Sequence, residues 1–189
     1  MSNKGNSNSI KKIKAMSLAQ IGLMAALTYI AAYAIIIPVG QSAVFHLGDG
    51  VLFLSVILLG TKKGAIAATI GMVLFDLLSG FYLWAPFTLL IKIAMAYTAG
   101  TIAYRKGYKG ENLSNNLLAF IASGVVMILG YFIAGGILNH FVYGIPTLGQ
   151  GFIIAIADIP ANIIQVIGGI AIGLPLSLLL KKHLGRYIK

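Results

Sequence analysis

Four ionisable side chains in this sequence stand where charge is hardest to accommodate: Asp49, Asp76, Lys92 and Asp158 all lie inside long apolar stretches. A charge at the centre of a bilayer costs at least ~2.5–3.5 kcal/mol on insertion scales, so each requires a partner, a water-filled cavity or protonation. Asp158 heads a run with Asn162 and Gln165 at i, i+4 and i+7, which places three hydrogen-bonding groups on one helical face. Pro160 inside that run removes a backbone amide and loosens the helix there. Segments flanking the apolar stretches add His46, Trp84, Asn139, His140 and Tyr143. Carboxylates, amides and aromatic rings around an apolar cavity suit a small, polar, ring-bearing ligand. The chemistry indicated is binding, not catalysis. There is no phosphate loop, no H-E-x-x-H and no G-x-S-x-G elbow. The absence of cysteine excludes disulfides, thiol catalysis and thiolate metal sites. His46 and His140 have no histidine at i+4 and read as interfacial side chains, so neither a metal nor a cofactor is assigned.

The elements that must position these groups follow from composition. The chain has 189 residues, of which 59% are hydrophobic and 10% charged, with a mean hydropathy of +0.93. Soluble domains carry roughly 25% charged residues, so the fold class is an all-α integral membrane protein. A crossing helix needs about 20 apolar residues, and six spans are predicted: Ala15 to Ile37, His46 to Leu59, Ala65 to Tyr82, Pro86 to Tyr104, Asn116 to Leu138, and one within Gln150 to Leu180. The last is longer than one bilayer, and Pro160 and Pro175 are predicted to bend it. Four helices would remain if 46–82 formed one re-entrant unit.

The net charge of +10 would suggest nucleic acid in a soluble protein. Here it marks topology. Segments 1–14, 60–64, 105–115 and 181–189 hold every basic residue except Lys92, and the loops at about 38–45, 82–86 and 139–149 hold none. Positive charge collects in cytoplasmic loops, which puts both termini in the cytoplasm and the protein in the cell membrane. The resulting organisation is a cytoplasmic tail 1–14, polar and disordered over its first nine residues, a transmembrane substrate-binding bundle 15–180, and a basic tail 181–189.

On that topology Asp49, Asp76, Lys92 and Asp158 all lie towards the outer side, and no ionisable residue occupies the inner half of a span. The pattern describes a pocket open to the outside and not a continuous polar path. Lys92 and Asp76 form either an ion pair between the third and fourth spans or part of the ligand site. Asp49 either caps the second span or reaches the ligand. Trp84 and Tyr143 serve either the pocket or the interfacial aromatic belt. Small residues permit close helix approach. They recur as Ala67/Gly71, Ala96/Gly100 and Gly169/Gly173, and as a longer stripe, Ala15, Ala19, Gly22 and Ala26, in the first span. That stripe fits either internal packing or docking of another membrane subunit.

Three local motifs sharpen the picture: His46-Leu47-Gly48-Asp49-Gly50; Asp76-Leu77-Leu78-Ser79-Gly80 with Ala85-Pro86-Phe87-Thr88 and Lys92; and Asn162-Ile163-Ile164-Gln165. With the six-span size and the first-span stripe Gly22-Leu23-Met24-Ala25-Ala26, they resemble the substrate-binding S component of an energy-coupling factor (ECF) vitamin transporter. The subfamily is that of riboflavin-, pyridoxine/hydroxymethylpyrimidine- and pantothenate-type members. The resemblance implies a vitamin bound from outside between helices 4 to 6 and the loops after helices 1, 3 and 5. It also implies a membrane coupling subunit docked on the first-helix stripe and two cytoplasmic ATPases, with the S component toppling to carry the closed pocket inward.

Riboflavin-type members carry an Asp-Phe-Ser-Asp-like sequence where this chain has His46-Leu47-Gly48-Asp49, which counts against that branch. Three acids against one lysine disfavour a carboxylate ligand such as pantothenate and favour a pyridoxine- or hydroxymethylpyrimidine-like compound. Readings from another class are a stand-alone secondary transporter, which should bridge both leaflets with ionisable groups, and a membrane scaffold, which has no use for buried Asp158, Asn162 and Gln165.

Overall fold

Inside hydrocarbon a backbone must satisfy its own polar groups, so long apolar segments fold as helices. The computed structural model describes residues 3–39 and 43–184. In order, it contains α1 (Asn3–Ala34), β1 (Ile37–Val39), β2 (Ala43–Phe45), α2 (Gly48–Leu59), α3 (Thr61–Leu78), α4 (Ala85–Tyr104), α5 (Leu113–Phe141), α6 (Leu148–Ile156) and α7 (Ile159–Leu184). Large apolar side chains such as Leu18, Ile70, Leu90, Leu129 and Ile167 face outward, while Asp49, Lys92, Asn116 and Ser123 are fully buried. That distribution belongs to a protein whose surroundings are lipid.

Several sequence-based boundaries are corrected. Among the described residues, four helices are long and apolar enough to cross a membrane, over 13–34, 85–107, 113–141 and 159–183. The helices α2 and α3, with 12 and 18 residues, fall outside that set. The second expected span is the central core helix: α2 buries ten of its 12 residues, as a helix apolar on all sides must. The first nine residues, expected to be disordered, are helical from Asn3, where α1 begins. The end of the basic C-terminal tail, 185–189, lies outside the described residues. A short antiparallel hairpin, β1 with β2, pairs Ile37 with Phe45 and Val39 with Ala43, an addition to the all-α expectation.

The long last segment breaks as its prolines predict, but at one of them. Pro160 has no N–H to donate to the carbonyl four residues back, at Ile156. The helix α6 stops at Ile156, and α7 restarts at Ile159, with the Asn162 amide donating to the Asp158 carbonyl at 3.1 Å. Pro175 lies within α7, which continues past it.

Basic segments gather at one end. There Lys63 Nζ donates to Ser17 Oγ (2.8 Å), and Arg105 Nε donates to Asn115 Oδ1 (2.7 Å). The Ile57 carbonyl, in the last turn of α2, accepts from Tyr104 Oη (2.7 Å) and Lys181 Nζ (2.9 Å), which ties α2, α4 and α7 together. Cations suit the negative ends of helices.

Close packing explains most of the small residues. A Cβ on Gly71 would strike the Ala25 carbonyl of α1, one on Gly100 would strike the Thr61 side chain, and one on Gly173 would lie 2.9 Å from the Gly50 carbonyl. By contrast Ala15, Ala19, Gly22 and Ala26 are all exposed, and nothing lies within 4 Å of a Cβ on Gly22. Internal packing is thus excluded for that stripe within this chain. Gly71→Leu is expected to destabilise the protein by ~1–3 kcal/mol or more through overpacking against α1. Gly22→Leu should change stability by less than ~0.5 kcal/mol. Thermal unfolding of both variants in detergent checks the contrast, and equal losses would place the stripe in the core.

Candidate functional site

The site is built upward from the first turn of α2. Gly169 and Gly173 on α7 let that helix approach α2 closely, so that a Cβ on Gly169 would lie 3.2 Å from Asp49 Cβ. One turn earlier on α7, Gln165 reaches across, and its Nε2 donates to Asp49 Oδ2 at 2.7 Å. From α4, Lys92 Nζ donates to Asp49 Oδ1 at 2.6 Å, with both side chains fully buried. Lys92 also lies against Met95 and Met127 sulfurs and 5.3 Å from the centre of the Tyr131 ring. The expected pairing of Lys92 with Asp76 is therefore replaced by one with Asp49. Depth explains it: Asp49 and Lys92 are both fully buried, whereas Asp76, in the last turn of α3, keeps some exposure. The alternative that Asp49 caps α2 also fails, since Leu47 holds the cap position without a side-chain hydrogen bond and Asp49 lies inside the helix.

Directly above this pair is a cavity of about 50 Å³, several times the space one water requires. Its polar wall is His46, Asp76, Thr88, Asp158, Asn162 and Gln165, and its apolar and aromatic wall is Val44, Phe81, Trp84 and Tyr131. Local sequence positions each part. Gly80, at φ +89°, ends α3 with the Phe81 amide bonded back to the Asp76 carbonyl at 2.9 Å. This helix-terminating turn needs the left-handed conformation glycine takes freely. It returns Phe81 and Trp84 over the cavity. Pro86 then helps start α4 at its first turn. The break at Pro160 puts Asp158 at the start of α7 with Asn162 and Gln165 below it. The hairpin carries Val44 and leads into His46, whose ring meets Phe75 edge-on at 5.0 Å.

Two buried polar atoms of cavity-lining residues, Asp76 Oδ2 and His46 Nδ1, have no hydrogen-bond partner within the protein, and His46 Nδ1 lies beside Gly48, 3.3 Å from where a Cβ on that glycine would stand. Orphaned buried polar atoms are uncommon and point to an unfilled role. Thr88 Oγ1 and Tyr131 Oη are 3.1 Å apart, and the Trp84 and Tyr131 rings lie 6.0 Å apart.

Of the sequence-derived candidates, His46, Asp76, Trp84, Asp158, Asn162 and Gln165 line the cavity. Asp49 and Lys92 lie beneath it and reach it through Gln165. Asn139, His140 and Tyr143 are not brought to it. Asn139 Nδ2 donates to the Gly151 carbonyl (3.1 Å) and His140 Nδ1 lies 2.8 Å from the Ile145 carbonyl, so both organise the turn from α5 into α6. Asn139 and Tyr143 instead line a wider neighbouring groove of about 480 Å³, which shares Phe81 and Trp84 with the cavity. Sequence reasoning missed Tyr131, Thr88, Phe81 and Val44 as lining residues. A tyrosine hydroxyl within the apolar fifth span was the available signal, because a buried Tyr O–H needs a partner.

An apolar-coated helical bundle with a polar cavity at the end opposite its cationic loops is a membrane-embedded binding protein for a small polar molecule. The chain belongs to the ECF-type riboflavin transporter S-component family, whose model matches residues 12–182. It is 30% identical over 174 residues to the thiamine precursor transporter HmpT of Lactococcus lactis subsp. cremoris (strain MG1363), which covers 91% of this chain and 90% of that one. It is also 33% identical over 149 residues to a Pyrococcus woesei protein described as an uncharacterized protein in gap 3'region, covering 79% of this chain and 89% of that one. The resemblance read from the motifs is thereby borne out: this is a transport protein of the S-component type, the vitamin-specific binding subunit, and the family is not one of enzymes.

The buried pair sets a testable energetic asymmetry. Lys92→Met leaves Asp49 as an uncompensated charge in the core, which typically costs 3–5 kcal/mol. The double variant Asp49→Leu/Lys92→Met removes both charges and should be markedly more stable than Lys92→Met. Thermal unfolding of the two variants decides, and equal destabilisation would mean that the pair does not form.

Proposed function

We propose that this protein captures a hydroxymethylpyrimidine-like vitamin precursor from the outer side of the cell membrane for ATP-driven import. The single observation that carries the substrate reading is the unpartnered Asp76 Oδ2 on the cavity wall. It is an acceptor awaiting a donor, and an aminopyrimidine supplies N–H donors at its ring edge. Two further features support the same class. Lys92 is committed to Asp49, and no lysine or arginine is among the cavity-lining residues, which disfavours a carboxylate such as pantothenate. Phe81, Trp84 and Tyr131 are available to the faces of an aromatic ring. The similarity to a thiamine precursor transporter agrees with this reading. Pyridoxine, a ring of the same size with hydroxyl donors, is the second substrate to test.

The rest of the cycle follows from the family. In this reading α2 and α3 are the two shorter of six crossings and both termini are cytoplasmic, with the cavity outside and the basic end inside, in line with the gathering of positive charge in cytoplasmic loops. The chain carries no nucleotide-hydrolysing motif, so energy comes from two cytoplasmic ATPases through a membrane coupling subunit. The exposed stripe Ala15, Ala19, Gly22 and Ala26 is its docking face, because small residues let a partner helix approach closely.

Two measurements test these readings. Calorimetry on the solubilised protein should show hydroxymethylpyrimidine binding, with Asp76→Asn and Asn162→Leu each weakening it about 5- to 150-fold, the worth of one buried hydrogen bond. Unchanged affinity in both variants would move the ligand elsewhere. In cells, Gly22→Trp and Ala26→Trp should abolish uptake and co-purification with the coupling subunit and ATPases while leaving ligand affinity intact. Loss of neither would put the docking surface on another helix.

A further inference from the structure

We infer that the buried Asp49–Lys92 pair is a positioning device that locks the Gln165 side-chain amide in one orientation, so that the pocket reads a hydrogen-bond donor on its ligand at that point. The inference rests on the substrate reading above and deepens it. Asp49 presents two oxygens, and both are used: Oδ1 by Lys92 and Oδ2 by Gln165 Nε2. An ionised carboxylate accepts hydrogen bonds and cannot donate. A flipped Gln165 would therefore set its carbonyl oxygen against Asp49 Oδ2 at 2.7 Å, oxygen against oxygen. Paired with the ammonium of Lys92, the carboxylate offers Gln165 only an acceptor and so enforces the choice. The second N–H of Gln165 faces His46 Nε2 at 3.4 Å, which makes Nε2 the acceptor and puts the imidazole proton on Nδ1.

Gln165 is thus spent on its nitrogen side by two buried neighbours, and the group it retains for the cavity it lines is its carbonyl oxygen. Together with Asp76 Oδ2, this gives the pocket two acceptors. Such a wall selects a heterocycle bearing two donors, as an amine and a hydroxymethyl group provide, and rejects analogues in which either is an acceptor. A site built to hydrogen-bond one group discriminates strongly against a ligand that leaves it unpaired. Asp49 and Lys92 act only through Gln165. They are positioning residues.

Substituting Asp49→Asn reverses the logic without changing shape. The asparagine oxygen must face Lys92, which leaves its NH2 towards Gln165, so the Gln165 amide turns and offers N–H to the cavity. The probes are the parent aminopyrimidine and two analogues that exchange one donor for an acceptor, oxo for amine and formyl for hydroxymethyl. Calorimetric affinities for each are taken on wild type and on Asp49→Asn. Wild type should prefer the parent by about 5- to 150-fold over each analogue. In Asp49→Asn one of the two preferences should shrink towards unity or reverse while the other persists. If that variant does not fold, Asp49→Leu/Lys92→Met decides, since it leaves no unpaired charge yet frees the amide to rotate, and the same preference should collapse. Both preferences intact in a folded variant would overturn the positioning role alone. A wild-type protein indifferent to the exchanges would do the same. Failure of wild type to bind the parent compound would instead overturn the substrate reading and take this inference with it.

Discussion

The contact on which the rest of the site depends is the ion pair between Asp49 and Lys92. Two charges cannot be buried in the core of a membrane protein without each other, and their burial dictates what surrounds them. It requires α2 to be the central helix, with α4 against one side and α7 close enough on another for Gln165 to complete the carboxylate's hydrogen bonds. That closeness is why Gly50, Gly169 and Gly173 face one another: any side chain there would part the helices and strand the carboxylate. The ligand wall then stands directly on the pair.

A second constraint comes from punctuation. Gly80 turns the chain back so that Phe81 and Trp84 cover the cavity, and Pro160 breaks the last long segment so that Asp158, Asn162 and Gln165 descend from a helix start. The first device brings aromatic faces to the cavity beside Asp76, and the second brings Asp158, Asn162 and Gln165 to it. At the opposite end the Ile57 carbonyl, held by Tyr104 and Lys181, ties the ends of three helices together. The bundle is thus fixed at its basic end, with the cavity at the other.

Much of this was legible in the sequence, and the reasons for the exceptions are physical. The hydropathy pattern located every long helix because lipid leaves the backbone few alternatives. The spacing of Asp158, Asn162 and Gln165 revealed the polar face because helical periodicity is fixed. The partner of Lys92 was misassigned because sequence distance carries no information on depth, and two aspartates were within plausible reach. That the 12-residue apolar segment is the helix enclosed by the others was not legible, because hydropathy reports apolarity and not which neighbours cover it. Asn139 and His140 were chosen for residue type alone, yet the backbone of the α5–α6 turn claims them. Tyr131 and Thr88 were overlooked because a single hydroxyl in an apolar helix has no periodic polar neighbours to mark its face, though both reach the cavity wall.

The most direct test of a donor-reading pocket above a buried ion pair is native mass spectrometry of the wild-type protein, gently solubilised from cells supplied with a mixture of vitamins. The expected result is a complex heavier than the apoprotein by the mass of the hydroxymethylpyrimidine compound, or of another small heterocycle bearing two donors. A bound flavin, a bound carboxylate vitamin, or apoprotein alone would contradict the account.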